Sequence, residues 1–386
     1  MNRKQFLFLL GALALLVAAG AAVRWVDRLS WQQQGNTRLG QKLLPALKMA
    51  EVAEIAVRDA KNDVHIVKQG ASWRVRERAD FPADVDRIAG LLLKAVELKV
   101  VQTENLSEGE RARFELAEPK PGTAREGMGT VLELKDASGK TLARLLLGKK
   151  LMKPGQVQTE GGPPRAAEVP AGRYLLPGAD ATWIAVVSEP LTQVEASPSA
   201  WIVKPIFHID RVKSVAVAGP DDKNRWTLER AKEGDLWSFA GSAEKPDAQK
   251  AQDVMSPLYE ISLADVVADP AKVATGLDKP VVARIQTFDD LTYVVKIGAK
   301  AGEDRYYAQV AQSGEPPKVR APEKGESASD KEKRDKEFAE QRAKLVERLE
   351  RERRFERWTY ELPKATVERL TYERGQLLPE KKSEKK

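Results

Sequence analysis

The side chains that most often carry chemistry are scarce in this chain. Its 386 residues include no cysteine and only two histidines, His65 and His208. Without cysteine there are no disulfides, thiolate metal sites, cysteine nucleophiles or lipidated N-terminal Cys. The two imidazoles lie far apart in sequence among apolar neighbours, which leaves little material for a histidine zinc site or a Ser/His/Asp triad. In Val64-His65-Ile66-Val67 the alternation puts His65 opposite Val64 and Ile66, facing solvent. His208 follows Phe207 and is expected to be half-buried.

Other near-motifs have simpler readings. Asp84 with Asp86, and Asp289 with Asp290, could be paired carboxylates, but helix N-terminal charge and turn chemistry account for them. Gly139-Lys140-Thr141 looks like the end of a phosphate loop, yet the first glycine such a loop needs is replaced by Leu134, so a hairpin turn is expected. Ser242-Ala243-Glu244-Lys245 fits an S-x-x-K pattern without its companion motifs. No catalytic, cofactor-binding or metal-ligating residue is expected, and the chain reads as a non-enzyme. Trp73 and Trp237 remain: their flat rings could form matched ligand platforms, for example for a glycan, or could seal the cores of two modules.

The length is enough for more than one packed core. Lys and Arg total 64 against 57 Asp and Glu, a formal charge of +7, but the signs are interleaved, which favours solubility over nucleic-acid binding. At the start, Arg3 and Lys4 precede an uncharged run from Phe6 to Val23. As a helix rising about 1.5 Å per residue it spans about 27 Å, enough for an inner-membrane core. Trp25 and Trp31 follow as interface anchors. A cleaved signal peptide is the rival, since Ala19-Gly20-Ala21 offers a cleavage pattern. Flanking charges are nearly symmetric, and export of the large part is inferred from the terminal position of the anchor.

Beyond the anchor the chain repeats itself at a spacing of about 160 residues, the size of a domain rather than of a solenoid unit. Val52-Ala53-Glu54-Ile55-Ala56-Val57 is echoed by Val212-Lys213-Ser214-Val215-Ala216-Val217, and Gly70-Ala71-Ser72-Trp73 by Gly234-Asp235-Leu236-Trp237. Each copy continues with a helical stretch after Pro82 or Pro246, the first with Ile88, Leu91, Leu92 and Val96 inward, the second with Val254, Leu258 and Ile261. A strand, a loop (Phe114 to Pro119, matched by Thr275 to Pro280) and a hairpin ending on Gly148 or Gly298 follow. Val367 to Tyr372 reads as another strand, either the start of a truncated third copy or the completion of the second sheet. This predicts an α+β fold: an N-terminal transmembrane helix, then two tandem homologous modules with mostly antiparallel sheets, and a charged C-terminal helix.

The order of anchor, V-x-x-I-x-V strand, Gly-x-x-Trp, Pro-Ala-Asp helix start and Leu-Gly hairpin end resembles the bacterial domain-of-unknown-function family 4340. Its carriers here are Trp73, Phe81-Pro82-Ala83-Asp84, Leu147-Gly148 and the block from Trp201 to Val217. The resemblance implies an accessory, envelope-facing role beside an ABC transporter of the kind linked to gliding machinery, with the permease or its ATPase as partner. It brings no catalytic residue.

The charged segment departs from a minimal member of that family. A capping-box pattern at Ser329-Asp330-Lys331-Glu332 predicts a helix start, and Phe338, Leu345 and Leu349 form a narrow apolar stripe, with charges such as Glu347 and Arg351 on the exposed faces. This is a candidate docking helix, or a helix lying by one edge on the second module. The resulting organisation is a cytoplasmic n-region (1–5), anchor (6–23), linker (24–49), first repeat (50–205), second repeat (206–322), amphipathic helix (323–357), terminal strand region (358–378) and basic tail (379–386). The expectation is a single-pass inner-membrane protein with its bulk in the periplasm, acting as an interaction module. The alternative is a stand-alone periplasmic ligand-binding or scaffold protein. Oligomeric state, cargo and binding face stay open.

Overall fold

The computed structural model describes residues 38–120, 122, 126–158, 162–178, 181–220, 225–322 and 325–380. The anchor expected at 6–23 lies outside these residues, and no described helix is long and apolar enough to cross a membrane. The chain divides into two compact units, residues 1–73 with 85–200, and residues 74–84 with 201–386.

The larger apolar residues of the alternating strands are buried, and in the first strand the small Ala56 between them is buried as well. In β1 (Glu54–Arg58) and β2 (Asp63–Gln69), Ile55, Val57, Val64 and Ile66 are fully buried, as one-sided packing of an antiparallel sheet requires. Next come β3 (Ser72–Val75), β4 (Phe81–Pro82), helix α1 (Val85–Val96) and β5 (Val100–Asn105). Ile88, Leu91, Leu92 and Ala95 form the buried stripe of α1, three to four residues apart. The first unit closes with β6 (Thr130–Lys135), β7 (Thr141–Val157), β8 (Arg165–Pro177) and β9 (Trp183–Val187). Its strands run in the order β3-β2-β1-β6-β7-β8-β9-β5, antiparallel from β2 through to β5.

The second unit contains β10 (Pro205–Phe207), β11 (Val212–Ala218), β12 (Trp226–Glu229), β13 (Ser238–Phe239), helix α2 (Ala248–Met255), β14 (Ile261–Ser262) and β15 (Asp265–Val266). Then follow β16 (Val281–Thr287), β17 (Leu291–Lys300), β18 (Arg305–Gly314), helix α3 (Ala328–Arg353), β19 (Tyr360–Pro363) and a single turn, α4 (Lys364–Val367). β10 and β14 form a small sheet of their own. The main sheet runs β13-β12-β11-β16-β17-β18-β19-β15, antiparallel throughout. Apart from β4, a ninth strand paired with β3 at the edge of the first sheet, this is the order of the first sheet.

The glycines ending the two hairpins show why the repeat keeps them. A Cβ on Gly148 would lie 2.3 Å from the Phe114 carbonyl oxygen, and one on Gly298 would lie 2.1 Å from that of Thr275. Both carbonyls belong to the matched loops, so each copy lays the same loop against the same strand end, where only glycine leaves room.

Two expectations need correction. Val367 to Tyr372 does not form a strand: Val367 ends α4, and Glu368–Thr371 is a 3-10 turn. The strand that completes the second sheet is β19, a few residues earlier, in the place β9 holds in the first. The cap of α3 is Ser327, not Ser329. Its hydroxyl accepts from the Asp330 N–H at 3.1 Å and donates to the Asp330 carboxylate at 2.6 Å.

The boundaries also differ from the sequence repeat. Residues 74–84 cluster with the second unit. Arg78 makes a two-point ion pair with Asp265 (2.6 and 2.8 Å), and Phe81 packs edge-on to Trp358 at 4.8 Å and against Phe355 at 5.6 Å.

Candidate functional site

α3 lies within residues 315–359, the connection between β18 and β19, where the first unit has only residues 178–182 between β8 and β9. It is thus an addition to one copy of the duplicated sheet. Its first turns are exposed, whereas its later turns pack on the second unit through Leu349 (3% exposed) and Glu352 (4%). Phe338 and Leu345 are half-buried and line a cleft of about 470 Å³ together with Pro316, Pro317, Arg342 and Asp289. The volume falls in the range of small-ligand and side-chain pockets.

A polar network fixes the helix at the base of this cleft. Glu352 accepts from the His208 backbone N–H at 3.0 Å and from the Tyr293 hydroxyl at 3.2 Å. One turn earlier, the Arg348 guanidinium donates two bonds to Asp210, at 3.2 and 3.3 Å, and its Nε stands 3.6 Å from Glu352. His208 Nε2 lies 3.4 Å from Asp210, and the imidazole packs edge-on to Tyr259 at 4.2 Å. Burial drives the Glu352 carboxyl above its ordinary value, against the pull of the His208 N–H and Arg348, and burial also raises the Tyr293 phenol. Across the cleft, Arg211 pairs with Asp289 and, at 3.0 Å, with Glu233, while burial raises Asp289. Arg342 donates to the Pro317 carbonyl at 3.0 Å. Charges around the cleft are therefore mostly spent on holding α3 and the β16–β17 turn, and what remains for a ligand is Gln341, Lys344 and the apolar surface of Phe338, Leu345 and the two prolines.

Of the residues singled out in the sequence, Phe338 and Leu345 come together in this cleft and Leu349 lies buried beneath them. Trp73 and Trp237 are both half-buried, in separate units, and Trp237 lies under the Arg230 guanidinium at 4.7 Å. His65 is half-buried on the face away from Val64 and Ile66, 3.8 Å from Asp63. Asp84 and Asp86 precede and open α1, and Asp289 and Asp290 make the β16–β17 turn. Gly139, Lys140 and Thr141 belong to the β6–β7 turn, in which the Asp136 carboxylate accepts from the Ser138 and Lys140 N–H groups. Ser242 accepts from Arg374 at 2.9 Å. Among the described residues, no group of three or more His, Asp or Glu is arranged to hold a metal. The network residues Asp210, Tyr293, Arg348 and Glu352 were not singled out in the sequence. Their only local signal is the i, i+4 spacing of Arg348 and Glu352.

The architecture defines a class: a duplicated, antiparallel α+β module with a charged helix added to its second copy. Residues 167–280 match the family model described as Domain of unknown function (DUF4340), the family that the sequence resembles. The matched stretch runs from β8 through β15 to Pro280. No curated protein and no solved structure matches the chain.

Proposed function

We propose that this is a non-catalytic, membrane-anchored envelope protein that serves as an accessory or interaction module of an ABC-type, gliding-type transport system. The apolar run from Phe6 to Val23 supplies the inner-membrane anchor, and the duplicated sheets stand on the periplasmic side. The observation that carries this reading is the added helix. α3 is built into one copy only, held by a buried network at one end, and left with exposed turns and an apolar cleft at the other. Amphipathic helices and the grooves beside them are common docking surfaces. The cleft volume of about 470 Å³ favours one other reading, a stand-alone periplasmic binding protein for a small apolar ligand.

Crosslinking in intact cells, followed by mild-detergent purification through a C-terminal tag and mass spectrometry, separates the two. The docking reading expects an ABC permease or ATPase to be retained by the native chain and lost from the Phe338→Ser/Leu345→Ser variant, whose circular dichroism stays native. A chain that begins at Ala22 and emerges alone from the periplasmic fraction would overturn it.

A further inference from the structure

The two copies of the sheet differ in a second place. In the second unit the β17–β18 hairpin ends at Lys300 and Arg305, joined by residues 301–304. In the first unit the equivalent hairpin runs on. β7 and β8 remain paired from Leu151↔Gly172 out to Val157↔Arg165, although β6 leaves β7 at Leu147 and β9 leaves β8 at Arg173. The extension is a two-stranded ribbon with both faces exposed, including Met152 (46%) and Val157 (47%). Such a ribbon is marginal in water by itself, so it is expected to rest on something.

Its composition says what. Lys149, Lys150, Lys153 and Arg165 face a single acidic residue, Glu168, among the ribbon's described positions, and the exposed apolar side chains lie between the cations. Pro154 and Pro170 interrupt the row of N–H donors, which disfavours an added strand from another chain and leaves the faces as the contact surface. Basic side chains interleaved with small apolar ones suit an anionic lipid surface, which takes the charges at its headgroups and the methyl groups just below. The geometry of the tether agrees. The Gly40 N–H donates to the Val100 carbonyl and the Leu43 N–H to that of Leu98, so the chain is fastened to the first unit from there on. Residues 24–39 can separate that point from the apolar run by at most about 60 Å.

Lys153, Val157 and Arg165 share one face of the ribbon, and Met152 and Glu168 lie on the other. We infer that the β7–β8 ribbon is a membrane-surface foot, which lays the face bearing Lys153, Val157 and Arg165 on anionic phospholipid. The inference rests on the anchored reading above. A test uses the full chain, which has no cysteine of its own, so that Val157→Cys alone takes a thiol-reactive fluorophore. The labelled chain is reconstituted in vesicles of phosphatidylcholine alone, or of equal parts phosphatidylcholine and phosphatidylglycerol. Each lysine near such a surface is worth about fivefold in partitioning. Iodide quenching at position 157 should therefore fall severalfold in the anionic vesicles only. It should return at high salt and in the Lys153→Ser/Arg165→Ser variant, whose partitioning drops about 25-fold. A label at Leu236→Cys, in the second unit, should not respond.

Equal quenching in the two compositions overturns the foot and leaves the ribbon to a protein partner. Flotation reports separately on the anchor. A chain that sinks from neutral vesicles but floats with anionic ones, through Lys153 and Arg165, refutes the anchored reading and retains the foot.

Discussion

Glu352 and Glu347 sit on one helix, and each is four residues from an arginine, yet the two pairs do different things. Glu347 and Arg351 meet in solvent, their side chains 72% and 57% exposed, and such pairs contribute a few tenths of a kcal/mol. Glu352 is buried with its charge offset by Arg348, the His208 N–H and the Tyr293 hydroxyl. Because burial raises its pKa in the folded state, the protonated form favours folding. That contribution is complete below the ordinary glutamate pKa and is lost as pH rises through the folded value. Glu352→Gln removes the charge and keeps one acceptor oxygen for the His208 N–H, while its amide NH2 can only donate to the Tyr293 hydroxyl. Urea unfolding from pH 5 to 8 should show the native chain losing stability relative to this variant as pH rises, with the gap closing towards pH 5; a gap independent of pH would mean that Glu352 is not titrating there. The i, i+4 spacing was legible in the sequence for both pairs. What separates them is His208, Asp210 and Tyr293, brought in from other elements, and no local pattern carries that.

At the level of elements, the strands were the most readable feature, because one-sided burial imposes an alternation that the residues obey. Ile55 and Val57 in β1, and Val215 and Val217 in β11, are buried as the pattern requires. Helix ends were less readable: Ser327 caps α3 where Ser329 was expected, since both serines are followed three residues later by an acid. Val367 to Tyr372 alternates like a strand, but with β19 already in place its apolar residues Val367 and Leu370 are buried from helical turns instead. Glycine positions allow a paired prediction. Gly90 lies inside α1, and a Cβ there meets nothing within 4 Å, so Gly90→Ala should stabilise by about 0.5–1 kcal/mol. Gly298→Ala drives a methyl group into the Thr275 carbonyl and should cost about 1–3 kcal/mol or more. Thermal melts of the two variants should move in opposite directions.

For the whole molecule, the duplication was legible as a repeat, and the two sheets share one strand order. The exchange of residues 74–84 was not. Phe81-Pro82-Ala83-Asp84 reads as the approach to α1, which it also is, while Phe81 finds its partners Phe355, Trp358 and Tyr360 far along the chain. The second unit is therefore assembled from two separated stretches. Phe81→Ala should lower its unfolding free energy by about 3–5 kcal/mol, and a fragment starting at Trp201 should be more protease-sensitive than residues 201–386 are in the full chain. Native behaviour of that fragment would show the aromatic cluster to be dispensable. The added helix has a further consequence for how the molecule comes into being. β19 lies between β18 and β15 and is the last of the sheet strands to leave the ribosome, after residues 315–359. Until it arrives, β18 waits with an open edge and β15 has no neighbour in the main sheet. The helix thus works as a delay as well as a decoration: the nascent second unit must stay unfinished, and sheltered from aggregation, while the whole helix is synthesised.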